Sequence, residues 1–131
     1  NSPETPIFNK SRILYGFHKS KNNIREANSA FLVEGQMDFL MSYQAGVKNV
    51  IATSGTALTA DHLLMLKKVT DEIVLSFDSD EAGLSAGERA IDLADSLDFN
   101  VKLPPPLEVW YSMYNTLPFI FSSRFISPFF M

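Results

Sequence analysis

Residues 30–46 read Ala-Phe-Leu-Val-Glu-Gly-Gln-Met-Asp-Phe-Leu-Met-Ser-Tyr-Gln-Ala-Gly. The four apolar residues at 30–33 form a run of strand length with no polar alternation, as expected of a strand buried on both faces. Behind it, Met37, Leu40, Met41 and Ala45 recur at helical spacing, so residues 37–45 are predicted to form a helix with these side chains as its core stripe, closed by Gly46. A buried strand followed directly by a helix is the opening of a βα unit, and the pattern repeats along the chain. Residues 49–53 read as a second strand. Thr59 is placed to cap a helix over 60–69, with Leu63 and Leu66 on one face and Lys67 and Lys68 near its end. Residues 72–77 read as strand three. A helix over 81–97 then carries Ala86, Ala90, Leu93, Ala94 and Leu97 inward, and residues 100–103 form a short fourth strand. Alternation of this kind predicts an α/β fold with an open, mostly parallel sheet flanked by helices.

Composition agrees with one folded unit. The chain has 131 residues, of which 46% are hydrophobic and 20% charged, close to ordinary globular usage. It has no cysteine and two histidines, His18 and His62, with no ligand spacing around either, which argues against disulfides, a cysteine nucleophile and zinc chemistry. His62 reads as a helix-surface residue. No secretory leader is recognisable, so the expected location is the cytoplasm. Charge is unevenly spread. Residues 1–27 carry five basic and two acidic side chains, +3, and form a basic lead-in. Residues 28–103 carry five basic and twelve acidic, -7, so this stretch needs cations or a basic neighbour before it can approach nucleic acid. Residues 104–131 hold five of the seven prolines and eight of the sixteen aromatics, and fit neither a helical nor a strand period. This atypical tail is interrupted by Glu108, Asn115, Pro118 and Arg124, which makes it a poor membrane span.

In open parallel sheets ligands bind outside the carboxyl ends of the strands. That rule points to Glu34-Gly35 after strand one, Ser54-Gly55-Thr56 after strand two, and Asp78-Ser79-Asp80-Glu81-Ala82-Gly83 after strand three. Asp78 and Asp80 face the same way if the segment is extended, and Glu34 arrives from a neighbouring strand. Three converging carboxylates with no basic residue beside them repel one another unless a hard divalent cation, Mg²⁺ or Mn²⁺, sits among them. An Asp-x-Asp pair also reads as a solvated turn with a helix N-cap. The calcium-loop reading fails because Ala82 and Arg89 stand where oxygen ligands are required. A phosphoacceptor aspartate on the same architecture would call for a Lys at a later strand end, and Lys102 lies inside strand four. Ser54-Gly55-Thr56 lacks the glycine and lysine spacing of a P-loop and reads more simply as a connecting loop.

Three segments, Val33-Glu34-Gly35-Gln36-Met37-Asp38, Ala52-Thr53-Ser54-Gly55-Thr56-Ala57-Leu58-Thr59 and Phe77-Asp78-Ser79-Asp80-Glu81-Ala82-Gly83, resemble the Toprim core of the bacterial-type replicative DNA primases. Phe8-x-Lys10 with Leu14-Tyr15-Gly16 is similar to the stretch leading into that core. The resemblance covers about residues 1–103, with a Toprim domain over 28–103. It implies that Glu34, Asp78 and Asp80 hold catalytic Mg²⁺ or Mn²⁺, that Gly35, Asp38 and Gly83 support them, and that Lys10 lies near the nucleotide or template path. The implied activity is synthesis of short RNA primers from ribonucleoside triphosphates on single-stranded DNA, a DNA-directed RNA polymerase and nucleotidyltransferase function. A replicative helicase is the implied partner, met through parts outside this chain.

The sequence departs from that family at Ser79, where glycine is usual, and at Pro104-Pro105-Pro106, where a further acidic cluster is expected. The zinc module, most of the template-binding subdomain and the helicase-binding end are not found, so the chain is expected to be a fragment with little activity alone. The competing expectations are another Toprim enzyme, either a nuclease type or a topoisomerase type that would need Tyr111 or Tyr114 as nucleophile, or a non-catalytic interaction module working through the tail.

Overall fold

The computed structural model describes residues 12–77 and 80–104. Lys10, Asp78, Ser79, Tyr111, Tyr114 and the tail from residue 105 onward lie outside the described residues. Four strands, β1 (Ala30–Val33), β2 (Val50–Ala52), β3 (Glu72–Leu75) and β4 (Asn100–Lys102), form one parallel sheet in the order β2-β1-β3-β4. The helices are α1 (Phe17–Ala27), α2 (Gln36–Gln44), α3 (Ala60–Lys67) and α4 (Glu81–Ser96). The expected parallel α/β sheet is present. No helix among the described residues is long and apolar enough to cross a membrane.

The sheet's two faces are two separate cores. Leu32 of β1, Ile51 of β2 and Ile73 and Leu75 of β3 pack with Leu63 and Leu66 of α3, Ala90 and Ala94 of α4, and Ile24 of α1. Phe31 and Val33, the alternate residues of β1, pack with Val50, Ala52 and Phe39 of α2 on the other side. This is the period-two alternation of a strand, with both faces apolar because helices cover both. It also fixes the winding. The chain steps left from β1 to β2 and right from β2 to β3 and β4, so right-handed crossovers place α2 on one face and α3 and α4 on the other. β1 lies between β2 and β3, where the winding reverses.

Three features depart from the sequence expectations. First, residues 17–27 of the basic lead-in form α1, whose Ser20 and Ile24 are fully buried. Second, α2 is rotated from its expected orientation. Met37 is 61% exposed and Leu40 46% exposed, whereas Asp38, Phe39 and Ser42 are buried. Phe39 takes the core position because it meets Tyr15 edge-on, ring centroids 5.2 Å apart, and stacks on Tyr43 at 5.7 Å. Third, His62 is fully buried, not on the helix surface. Its Nδ1 accepts from the Thr59 N–H at 3.2 Å while the Thr59 hydroxyl accepts from the His62 N–H at 3.1 Å, a reciprocal cap that turns the imidazole back over the start of α3. Thr59 is thus the cap the sequence indicated.

Gly16 joins α1 to the segment before it. Its φ is 79°, and a Cβ there would stand 2.1 Å from Phe39 Cε2, so no other residue fits without displacing the ring. Immediately before it, Tyr15 pairs antiparallel with Ala52: its N–H donates to the Ala52 carbonyl at 2.8 Å, and the Ala52 N–H returns a bond of 3.1 Å.

Candidate functional site

Beyond the carboxyl ends of β1 and β2 opens a cleft of about 720 Å³. One lip is residues 34–38, the other residues 53–57, and Ala86 and Arg89 of α4 close it from the side. A smaller recess of about 160 Å³ adjoins it, with Glu34, Thr53, Phe77, Ala86 and Arg89 among its walls.

Glu34 follows the last residue of the central strand and is half-buried. Its backbone is pinned toward β2. The Ser54 N–H donates to the Glu34 carbonyl at 2.8 Å, the Thr53 hydroxyl reaches the same oxygen at 3.4 Å, and the Thr53 N–H bonds to the Val33 carbonyl at 3.3 Å. On the β3 side the Ser76 N–H donates to the Leu32 carbonyl at 2.9 Å. The turn carrying Glu34 is therefore built from neighbours on both flanks, and its position follows from strand register more than from its own sequence.

Gly35 is the N-cap of α2, with extended backbone. Its N–H donates to Asp38 Oδ2 at 3.1 Å, and a Cβ added at Gly35 would stand only 3.1 Å from that same oxygen. The Asp38 carboxylate, in a residue 2% exposed, is folded back against the turn, and the Ser42 hydroxyl donates to the Asp38 carbonyl at 2.7 Å. Asp38 thus shapes the turn that presents Glu34. Gln36 ties the two lips together, its Nε2 donating to Ser54 Oγ at 2.8 Å. Ser54 and Gly55 both have positive φ, 58° and 87°, which bends the second lip sharply after β2.

Asp80 is the N-cap of α4, the helix that follows β3, the strand beside β1. Its Oδ1 accepts from the Gly83 N–H at 2.7 Å, a short charge-assisted cap. The N-cap reading of the Asp-x-Asp pair therefore holds for Asp80, and the cap engages one of its two carboxylate oxygens. Gly83 supplies the donor and is buried in the first turn. Of the three carboxylates expected to share an ion, Glu34 and Asp80 are described and Asp78 is not. Among the described residues alone, no three His, Cys, Asp or Glu side chains cluster tightly enough to hold a metal.

One lining residue had no role in the sequence reading. Arg89 projects from α4 into the cleft wall, one turn after Ala86, and its Nη1 donates to Ser85 Oγ at 2.7 Å. No local pattern of the sequence marks it, because its entry depends on which face α4 turns toward the cleft.

Comparison with known proteins places these features in company. A family model described as Toprim-like matches residues 31–106. The DNA primase of Helicobacter pylori strain 26695 is 48% identical over 90 residues, which is 69% of this chain and 16% of that protein. Among solved structures, the Aquifex aeolicus primase (zinc-binding and RNA polymerase domains) superposes with a TM-score of 0.73 at 37% identity, covering 78% of this chain and 25% of that one. A DnaG primase catalytic domain bound to single-stranded DNA gives 0.69 at 35% identity, covering 79% and 33%. The chain spans about a seventh to a fifth of the curated primases it matches and about a quarter to a third of the solved primase chains.

Proposed function

Because the chain belongs to the Toprim-like family, we propose that its cleft is the divalent-metal site of a DNA primase catalytic core, which joins ribonucleotides on a single-stranded DNA template. The observation that carries this reading is the placement of Glu34. It stands at the carboxyl end of the inner strand β1, where the winding reverses, on the wall of the cleft, with Asp80 capping the helix that follows the adjacent strand.

The donor chemistry suits Mg²⁺ or Mn²⁺. Glu34 and Asp80 offer only carboxylate oxygens, as a hard cation requires, and an open site with few protein ligands leaves room for water and phosphate oxygens. Asp78, between β3 and the Asp80 cap in sequence, is proposed as the third ligand. A bound ion would lower the barrier to attack by a 3′-hydroxyl and neutralise charge on the transferred phosphoryl group. The chain's own residues do the positioning. Asp38 holds the Gly35 N–H and so fixes the direction of Glu34, the Gly83 N–H orients Asp80, and the Gln36–Ser54 bond keeps the two lips in register. Lys10 is proposed near the nucleotide or template, as one of the five basic residues of the +3 lead-in that precedes the -7 of residues 28–103. Ribonucleoside triphosphates are the proposed substrates, and a replicative helicase the proposed partner of a complete primase.

The test is Mn²⁺ titration of this chain followed by electron paramagnetic resonance, compared with Glu34→Gln. Weak binding by the parent and its loss in the variant are expected, with no primer synthesis by the isolated chain. Equal binding by both proteins would remove Glu34 from the metal site, and robust primer synthesis would overturn the view that this segment is incomplete as a catalyst.

A further inference from the structure

We propose that Arg89 is a phosphate-binding residue of the cleft, engaging the triphosphate of the incoming nucleotide in the cavities it shares with Glu34; this rests on the nucleotidyl-transfer reading above. Arg89 lines both the main cleft and its recess, as Glu34 does, and among the described residues it is the only basic side chain lining either. The other described cations mostly have partners elsewhere: Arg12 with Asp61, Lys67 with Asp71, Lys102 with Glu72, and Lys19 and Lys48 against the Tyr43 ring. Arg89 enters none of the ion pairs among the described residues. Among the described residues its side chain makes one hydrogen bond, to the neutral hydroxyl of Ser85, which leaves the rest of its donor fork available.

Charge balance favours a phosphate there. A triphosphate keeps net negative charge after one divalent ion binds it, and carboxylates on the same walls would repel what remains. A cation in the cleft is needed to offset that repulsion, and the planar fork of arginine matches two phosphate oxygens at once. Gln36 and Met37, the first residues of α2, also line the cleft, and as first-turn residues their amides have no partner inside their helix. A nucleotide is favoured over a nucleic-acid backbone because a residue that shares both cavities with Glu34 meets the same phosphates as a metal held there.

The experiment follows the Arg89 side-chain Nε–H signal by ¹⁵N NMR in the full chain, with Arg89→Gln assigning the peak. The signal is expected to shift with ATP·Mg²⁺ and with inorganic triphosphate in EDTA, but not with adenosine. Arg89→Gln should weaken ATP·Mg²⁺ binding roughly 10- to 100-fold, the range for losing hydrogen bonds to a charged group, with Arg89→Lys in between. Both replacements are good helix formers at an exposed position of α4, so folding is retained. Mn²⁺ affinity without nucleotide should be the same in Arg89→Gln as in the parent. No shift with saturating ATP·Mg²⁺, an equal shift with adenosine, or a shift produced by oligothymidine but not by ATP would each overturn the proposal. The triphosphate arm in EDTA needs no metal, so failure of the metal reading in the Glu34→Gln titration is distinguishable from failure here.

Discussion

Asp80 is assigned two tasks that a pair of substitutions can separate. Its Oδ1 caps α4 through the Gly83 N–H at 2.7 Å, and its charge is proposed to help hold a divalent ion. Asp80→Ala removes both. Loss of an N-cap costs about 1 kcal/mol, and loss of a negative charge at a helix start adds about 0.3–1 kcal/mol, so unfolding free energy should fall by roughly 1–2 kcal/mol. Asp80→Asn keeps an acceptor of nearly equal capping strength and loses only the charge. With Glu81 still supplying an acidic side chain in the first turn, its cost should be about 0.5 kcal/mol or less. Urea unfolding followed by circular dichroism in EDTA measures both, with equal slopes expected because the surface exposed on unfolding is unchanged. Mn²⁺ affinity should follow a different order, falling at least roughly ten-fold in both variants, since neither side chain carries a charge. Equal destabilisation by Asn and Ala would refute the capping argument. Parental Mn²⁺ binding by both would leave Asp80 a cap and nothing more.

Two further outcomes follow from packing. Gly16→Ala combines a positive φ with a Cβ 2.1 Å from the Phe39 ring, so backbone strain of about 1–2 kcal/mol and overpacking of about 1–3 kcal/mol should lower stability by roughly 2–5 kcal/mol in the same denaturation assay; a loss below 1 kcal/mol would show that the ring yields freely. Leu66→Ala, at a fully buried position of α3, should cost about 2–5 kcal/mol, far more than the same change at Leu64, which is 54% exposed; similar losses at both sites would contradict the assigned face of the helix.

The sequence made the sheet legible because parallel strands buried on both faces leave unbroken apolar runs, and 30–33 is such a run. Thr59 and the inward face of α4 were legible for similar reasons, one residue type matching one backbone need. α1 was not. Its buried positions are Ser20 and Ile24, a stripe too narrow and too polar to stand out among Lys19, Lys21 and Arg25, and its start is Gly16 with no side-chain cap. α2 misled in the opposite direction, because Met37 and Leu40 have helical spacing but Phe39, held by two aromatic neighbours, decides which side faces the sheet. At the proposed site, the candidates Glu34 and Asp80 come from the rule that strand ends carry function. The role of Asp38 in the Gly35 turn and the entry of Arg89 into the cleft depend on how α2 and α4 pack, which no local pattern records.

The pairing of Tyr15 with Ala52 bears on how copies of this fold meet. A sheet exposes a row of unsatisfied amides and carbonyls at each margin, and a foreign strand that adds to one margin leaves a fresh margin for the next. Here the outward-facing groups of Ala52 are already taken, and α1 follows at once against the same strand. Among the described residues, the margin left for such addition is that of β4.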